Sequence, residues 1–440
     1  MVLIPLDYIH GDHLVVPEKK GAPLNEVIFV KTMKEVATVN KGAVQIETHS
    51  LAGKPTYIVR THGGERLIDA TTGGELSLID EDYIKEYAQK IYSGTAGVSS
   101  TKLIIDNAPS EVQSKPLPLW QVNFDDFLSP TLYISAVTGE LVSKRHDFWR
   151  YFDVVWMLHI MDYESRSDVN NWLLRGFSLL VTLAALSGLW LLFFSFKKKE
   201  RWLSFSFQRR KVFGEIHRWI GLAVGLQFSI WCVSGLVMSI LPADSVKGTD
   251  RSVKVAESQL DPYIDDIIAV NKIRPDWDYF TVRLQSMAGK PVYIFEGEGR
   301  VLARDAVSGD TIAIEQDLVQ NIAKNDYDGV ADILDVQKIQ LPSDDMPKSN
   351  KQAWQVSFDD ERDTALYIST EDGQILARRN DYWRVFDTFR MLHFMDYFRE
   401  HGFNSLWIIM FAFLSVVSFV TGFDLIIAYY RRKRNRQEKV

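Results

Sequence analysis

Cysteine is nearly absent: one residue, Cys232, in a chain of 440. That excludes a disulfide framework, a multi-cysteine zinc site and a CxxC redox motif. Glycine (26) and proline (14) are too few for a collagen-like or low-complexity chain. There is no excess of positive charge. The formal net charge is −7, which argues against a nucleic-acid binder. No glycine-rich phosphate loop, GxSxG, HExxH, flavin or nicotinamide motif occurs. The chain does have three long apolar runs and an internal repeat.

The runs are 172–196, 216–241 and 404–430, each with a single charged residue. Each is long enough to cross a hydrocarbon core of about 30 Å as a helix. Charge then orients them. Segments 197–215 and 431–440 hold thirteen Lys and Arg against three Glu, a net +10, and are expected on the cytoplasmic side. The remainder carries −17. Its two large stretches, 1–171 and 242–403, are expected outside, which suits a bacterial inner membrane with periplasmic domains.

The two halves repeat. DFWRYFDVVWMLHIMDY (147–163) and DYWRVFDTFRMLHFMDY (381–397) are identical at 11 of 17 positions, 234 residues apart. WQVNFDD (120–126) matches WQVSFDD (354–360), LYISAVTGELVSKR (132–145) matches LYISTEDGQILARR (366–379), and LAGKPTYI (51–58) matches MAGKPVYI (287–294). The second half reads as span, outer domain, span. The first half has the outer domain and the closing span. Its opening MVLIPLDYIHGD aligns with MSILPADSVKGT (238–249), so Met1 falls where a preceding span would end. A further N-terminal span is therefore expected in the native protein.

Short alternating runs (54–61, 120–124, 132–136) read as strands, and AVTGE (136–140) and TEDGQ (370–374) as tight turns. Residues 79–93 and 314–326 read as polar helices. The fold class expected is a membrane protein: a transmembrane α-helical bundle, with three spans here and four in the full unit, bearing two related α+β outer domains.

Of nine histidines, three stand out. His159 and His393 share one repeat position, and a twofold-like packing of the halves would make them face each other, as a bis-histidine haem requires. His217 sits near the cytoplasmic end of its span, with Gly221 and Gly225 below it on one face. The glycines leave room for a flat porphyrin or serve helix packing; a boundary histidine is alternatively an interfacial polar residue. Asp162, Tyr163, Asp396 and Tyr397 either orient the imidazoles or cap and face water. Trp149, Arg150, Trp383 and Arg384 read as an interface belt, with the arginines alternatively pairing with haem propionates. His10, His13, His49, His62, His146 and His401 read as surface residues. Cys232 reads as a small buried residue of its helix.

HRWIGLAVGLQFSIWCVSGLVM (217–238), WQVSFDD…LYISTEDGQILARR and WRVFDTFRMLHFMD, followed by a final span, resemble the PepSY-associated transmembrane family, and the first half does so too. The resemblance implies four spans with periplasmic PepSY-like domains, here at 1–171 and 242–403. It also implies two b haems, with His159 and His393 as the outer ligands and His217 as one inner ligand. Relatives include inner-membrane ferric-siderophore reductases. The implied partners are the lipid bilayer, an electron donor on the cytoplasmic side and a periplasmic ferric siderophore. This chain departs from the family in lacking the first span and in having LHxMDY where an LHTG-like stretch is usual. A second reading is a non-catalytic PepSY membrane protein that binds or regulates a periplasmic peptidase or a partner redox complex.

Overall fold

The computed structural model describes residues 4–16, 23–24, 27, 29–51, 54–197, 209–253, 260–346, 349, 352–397 and 405–437. Most of the basic segment 197–215, the end of the basic tail, His401 and Met1 lie outside these residues. In chain order the elements are α1 (Met33–Val39), β1 (Ala43–Leu51), β2 (Lys54–Thr61), β3 (Gly64–Asp69), α2 (Glu81–Ile91), β4 (Val98–Ile104), β5 (Leu119–Phe124), β6 (Thr131–Ser135), β7 (Leu141–Arg145), α3 (Asp147–Ile160), α4 (Trp172–Lys197) and α5 (Arg209–Ile240). The second half follows with β8 (Thr281–Met287), β9 (Lys290–Gly297), β10 (Arg300–Asp305), α6 (Gln316–Asp326), β11 (Ile333–Gln340), β12 (Gln352–Phe358), β13 (Ala365–Ser369), β14 (Ile375–Arg379), α7 (Asp381–Phe394) and α8 (Leu406–Gln437). From β1 and from β8 onward, both halves thus run through the same order of strands and helices.

Two compact units result. The first, His10–Tyr151 with Asp244–Trp383, holds all the strands. The three-stranded ladders of the two halves join into one six-stranded sheet, in the order β10-β9-β8-β1-β2-β3. The junction is antiparallel, with Gln45, Ile46 and Glu47 opposite Gln285, Leu284 and Arg283. Pairing β1 with β8 closes the edge that each half would otherwise leave open. Beneath the junction lies a shared core of Ile46, Tyr57, Val59, Val282, Leu284, Tyr293 and Phe295, capped by Val36, Ile264 and Ile267.

Each half adds a four-stranded antiparallel sheet, β4-β5-β6-β7 or β11-β12-β13-β14. A helix covers each one: Ile84, Ala88 and Ile91 of α2 pack on Trp120, Val122 and Ile134, and Val319, Ile322 and Ala323 of α6 pack on Trp354, Val356 and Ile368. The i, i+4, i+7 spacing of those α2 residues is what makes one buried face of an otherwise polar helix. α2 starts at Asp80, whose carboxylate accepts the Tyr83 amide at 2.8 Å. The buried indoles donate to matching carbonyls, Trp120 to Ile79 and Trp354 to Ile314, both at 2.9 Å. The two predicted turns close on Gly139 and Gly373, with φ of 77° and 68°, where a side chain is disfavoured.

The second unit comprises Met1–Ile9, Phe152–Ala243 and Arg384–Val440. Its apolar stretches 172–191, 219–240 and 406–424 are long and apolar enough to cross a membrane. The helices themselves overrun the predicted spans, with α5 beginning at Arg209 and α8 reaching Gln437. Arg, Lys and Gln are good helix formers, and no Pro interrupts these stretches. α5 packs against both α4 and α8.

α3 and α7 end alike. Met161 and Met395, equivalent in the repeat, take left-handed φ values of 54° and 52°. The Asp396 amide returns to the Met391 carbonyl at 3.0 Å, as at helix ends closed by a left-handed residue. The recurring MDY is therefore a helix stop.

Candidate functional site: two seated imidazoles

α3 and α7 carry His159 and His393 at the same step of the same helix. In the second unit the two rings lie 6.0 Å apart between centroids, inclined by 52°. His159 is exposed on its outer side, though packed within the protein on the other, and His393 is half-buried. Burial pushes the His159 imidazole below its ordinary range. Burial, and then His159 beside it, push His393 down to about 4, against the opposing pull of the Trp231 carbonyl. Both shifts favour the neutral ring, the state a metal requires of an imidazole.

His393 rests on α5. Its Nδ1 lies 3.1 Å from the Ser234 Oγ. A Cβ added at the next residue, Gly235, would meet the ring at 3.3 Å. His217, far along the same helix, rests on α8 in the same manner. Its Nδ1 lies 3.0 Å from the Thr421 Oγ1, and a Cβ at Gly422 would meet its ring at 2.8 Å. Seventeen residues separate His217 from Ser234 on α5, about 26 Å at the helical rise. The two imidazoles therefore stand at levels separated by roughly a hydrocarbon thickness.

The structure therefore brings His159 and His393 together and places His217 alone at the other level. Among the described residues no group of three or more His, Cys, Asp or Glu forms a metal site. A Cβ added at Gly221 would meet Ser418 at 3.9 Å and one at Gly225 would meet Leu189 at 3.6 Å, so both glycines face neighbouring helices.

Asp162 does not orient an imidazole. Its carboxylate gathers the amides of Glu164, Ser165, Ser167 and Asp168 and the Ser165 hydroxyl. Burial pushes this carboxyl up, but those hydrogen bonds outweigh it and hold it far below its usual range. Tyr163 is exposed, and the Tyr397 hydroxyl reaches Gln227 at 3.4 Å. Arg150 is engaged by Glu111 and Asp147, with further bonds to Ser129 and Thr131, which leaves no propionate role for it. Arg145 and Arg379 lie over the Trp149 and Trp383 rings at 4.0 and 4.2 Å. His146, expected at the surface, is fully buried, with its ring edge-on to His13 at 5.3 Å, because it follows β7 directly and packs beside Gly11. Cys232 is half-buried in α5.

Ser234, Thr421 and the glycines after them were missed by sequence reasoning. A signal was present. Thr421–Gly422 and Ser187–Gly188 are a further repeat pair at the 234-residue offset. Two more polar groups of α5 are notable. Gln227 Nε2 and Trp231 Nε1 are buried without a hydrogen-bond partner, and with Ser234 they follow i, i+4, i+7 spacing on one face.

No curated protein and no solved structure matches this chain. The family described as the PepSY-associated TM region matches residues 58–423, which takes in both ring positions and His217. With spans of this length and apolarity, this is a membrane protein, and the chain belongs to the PepSY-associated TM family.

Proposed function

We propose that this chain is an inner-membrane electron-transfer protein that holds b-type haem, and that it passes electrons from the cytoplasmic side to a periplasmic acceptor, with ferric iron in a siderophore as the acceptor class. In this reading the strand-bearing unit is periplasmic, the basic tail is cytoplasmic, and the two halves descend from one duplicated unit. The observation that carries the reading is the 6.0 Å between the His159 and His393 rings.

Metal–imidazole bonds are about 2 Å, and a ring centroid lies roughly 1.1 Å inside its nitrogen. Two imidazoles that held one metal between them would stand about 6 Å apart between centroids. The residues present fit. Haem iron, when bound, supplies one-electron redox chemistry. The protein's own contribution is two neutral rings on helices of matching ends, backed by Ser234. The orphan donors Gln227 and Trp231 suit an acceptor oxygen such as that of a propionate. His217 would serve a second haem at the other level.

The test is a visible spectrum of the full-length protein purified from haem-sufficient cells. Sharp low-spin b-type bands on dithionite reduction are expected, weakened in His159→Ala and His393→Ala. A colourless wild-type protein overturns the proposal.

A further inference from the structure

Ser234 and Thr421 share a construction that goes beyond contact with a histidine. A hydroxyl has one hydrogen to donate. At Ser234 the Oγ is 2.7 Å from the Ile230 carbonyl and 3.1 Å from that of Trp231. At Thr421 the Oγ1 is 2.8 Å from the Val417 carbonyl and 3.1 Å from that of Ser418. Carbonyls only accept, so each hydroxyl has acceptors for its hydrogen within its own helix. The oxygen that faces the imidazole is left as an acceptor. An Nδ1–H on His393 and on His217 suits that acceptor, and the Trp231 carbonyl is a further acceptor beside the His393 ring.

The glycines complete the seat. A side chain at 422 would overlap His217, and one at 235 would crowd His393. A hydroxyl followed by a glycine on the neighbouring helix thus provides both an acceptor and the space beside it for the ring. The pattern recurs at Ser187–Gly188 on α4, where the Ser187 hydroxyl also donates to the carbonyl four residues back, Leu183, at 2.7 Å.

We propose that Ser234 and Thr421 are positioning residues: their hydroxyls accept the Nδ1–H of His393 and His217 and so present Nε2 of each ring as the metal-ligating nitrogen. This rests on the haem reading above and names the residues that orient its ligands. Hydrogen bonds of this kind fix the tautomer and raise ligand basicity, and their loss costs about 10–100-fold in metal affinity.

The experiment uses full-length protein in lipid nanodiscs, labelled with 15N-histidine, first haem-free and then loaded with haemin. In the haem-free wild type, His393 and His217 are expected to show protonated Nδ1 and bare Nε2. Thr421→Val should release His217, and Ser234→Ala should shift the His393 Nδ1 resonance by leaving that ring only the Trp231 carbonyl, while Ser234→Thr should preserve the wild-type tautomer. On loading, Ser234→Ala should lower haemin affinity about 10–100-fold and shift the low-spin electron paramagnetic resonance signal, and Ser234→Thr should restore both. Protonated Nε2 in the wild type, or a Ser234→Ala protein with unchanged tautomer and resonance, overturns the proposal. A correct tautomer in a protein that takes up no haemin instead defeats the haem reading and leaves the two hydroxyl seats standing.

Discussion

Glu47 lies directly across the antiparallel ladder from Arg283, and the two occupy the same position of the repeated unit. A local twofold therefore passes through this rung of the sheet. The charges are opposite at the one place where a residue meets its own equivalent, which avoids like charges face to face. Each also has a partner in its own half: Glu47 with Arg60 at 2.7 Å, and Arg283 with Glu296.

Making the rung like-charged should weaken the joint sheet. Glu47→Arg sets two guanidiniums opposite each other and removes the partner of Arg60. The expected loss is about 1 kcal/mol, read as a lower denaturation midpoint of the strand-bearing unit. Adding Arg283→Glu should recover part of it. A double variant no better than the single would show that the cross-strand charges do not interact.

The glycine after each hydroxyl should resist alanine, against its ordinary preference. In a helix interior Gly→Ala normally gains about 1 kcal/mol. At Gly422 the added Cβ would lie 2.8 Å from His217 and should displace the ring. Gly422→Ala should therefore lose stability and perturb the His217 resonances. Gly235→Ala, at 3.3 Å from His393, should do so less, and Gly188→Ala, with nothing within 4 Å, should gain stability. Thermal unfolding of the three variants decides the order.

Acid should destabilise the histidine pair. The folded pKa values of His159 and His393 are depressed, so the unfolded chain takes up protons first. Their contribution is present above the unfolded value of about 6.5 and is lost as pH falls from there towards about 4, the folded value of His393. Melting temperature followed from pH 8 to pH 4 should fall over that window. His393→Gln should flatten the decline, and an unchanged slope would reject the assignment.

Asp162 should matter for the loop that leads into α4. Its folded carboxyl is depressed by the amides it gathers, so its contribution is present above the unfolded value and is lost as pH falls below the ordinary carboxylate range. Asp162→Asn removes the charge from these bonds and should cost about 2 kcal/mol, with faster amide exchange at Ser165, Ser167 and Asp168. Protection equal to wild type would contradict this role.

The lone cysteine, the three apolar runs and the 234-residue repeat were enough to read the membrane class, the strands around 54–61 and 120–136, and the equivalence of His159 with His393. These are periodic or compositional properties, and local patterning determines them. The junction between β1 and β8 was not legible, because pairing between distant edge strands leaves no mark in either strand alone. The seats were not legible either. Ser234 lies 159 residues before His393 and Thr421 lies 204 after His217, and only the packing of α5 against α8 and α7 brings each hydroxyl to its ring. Sequence determined which helices exist and which residues recur. Tertiary structure decided which hydroxyl faces which imidazole, because a hydrogen bond depends on a distance that neither helix specifies by itself.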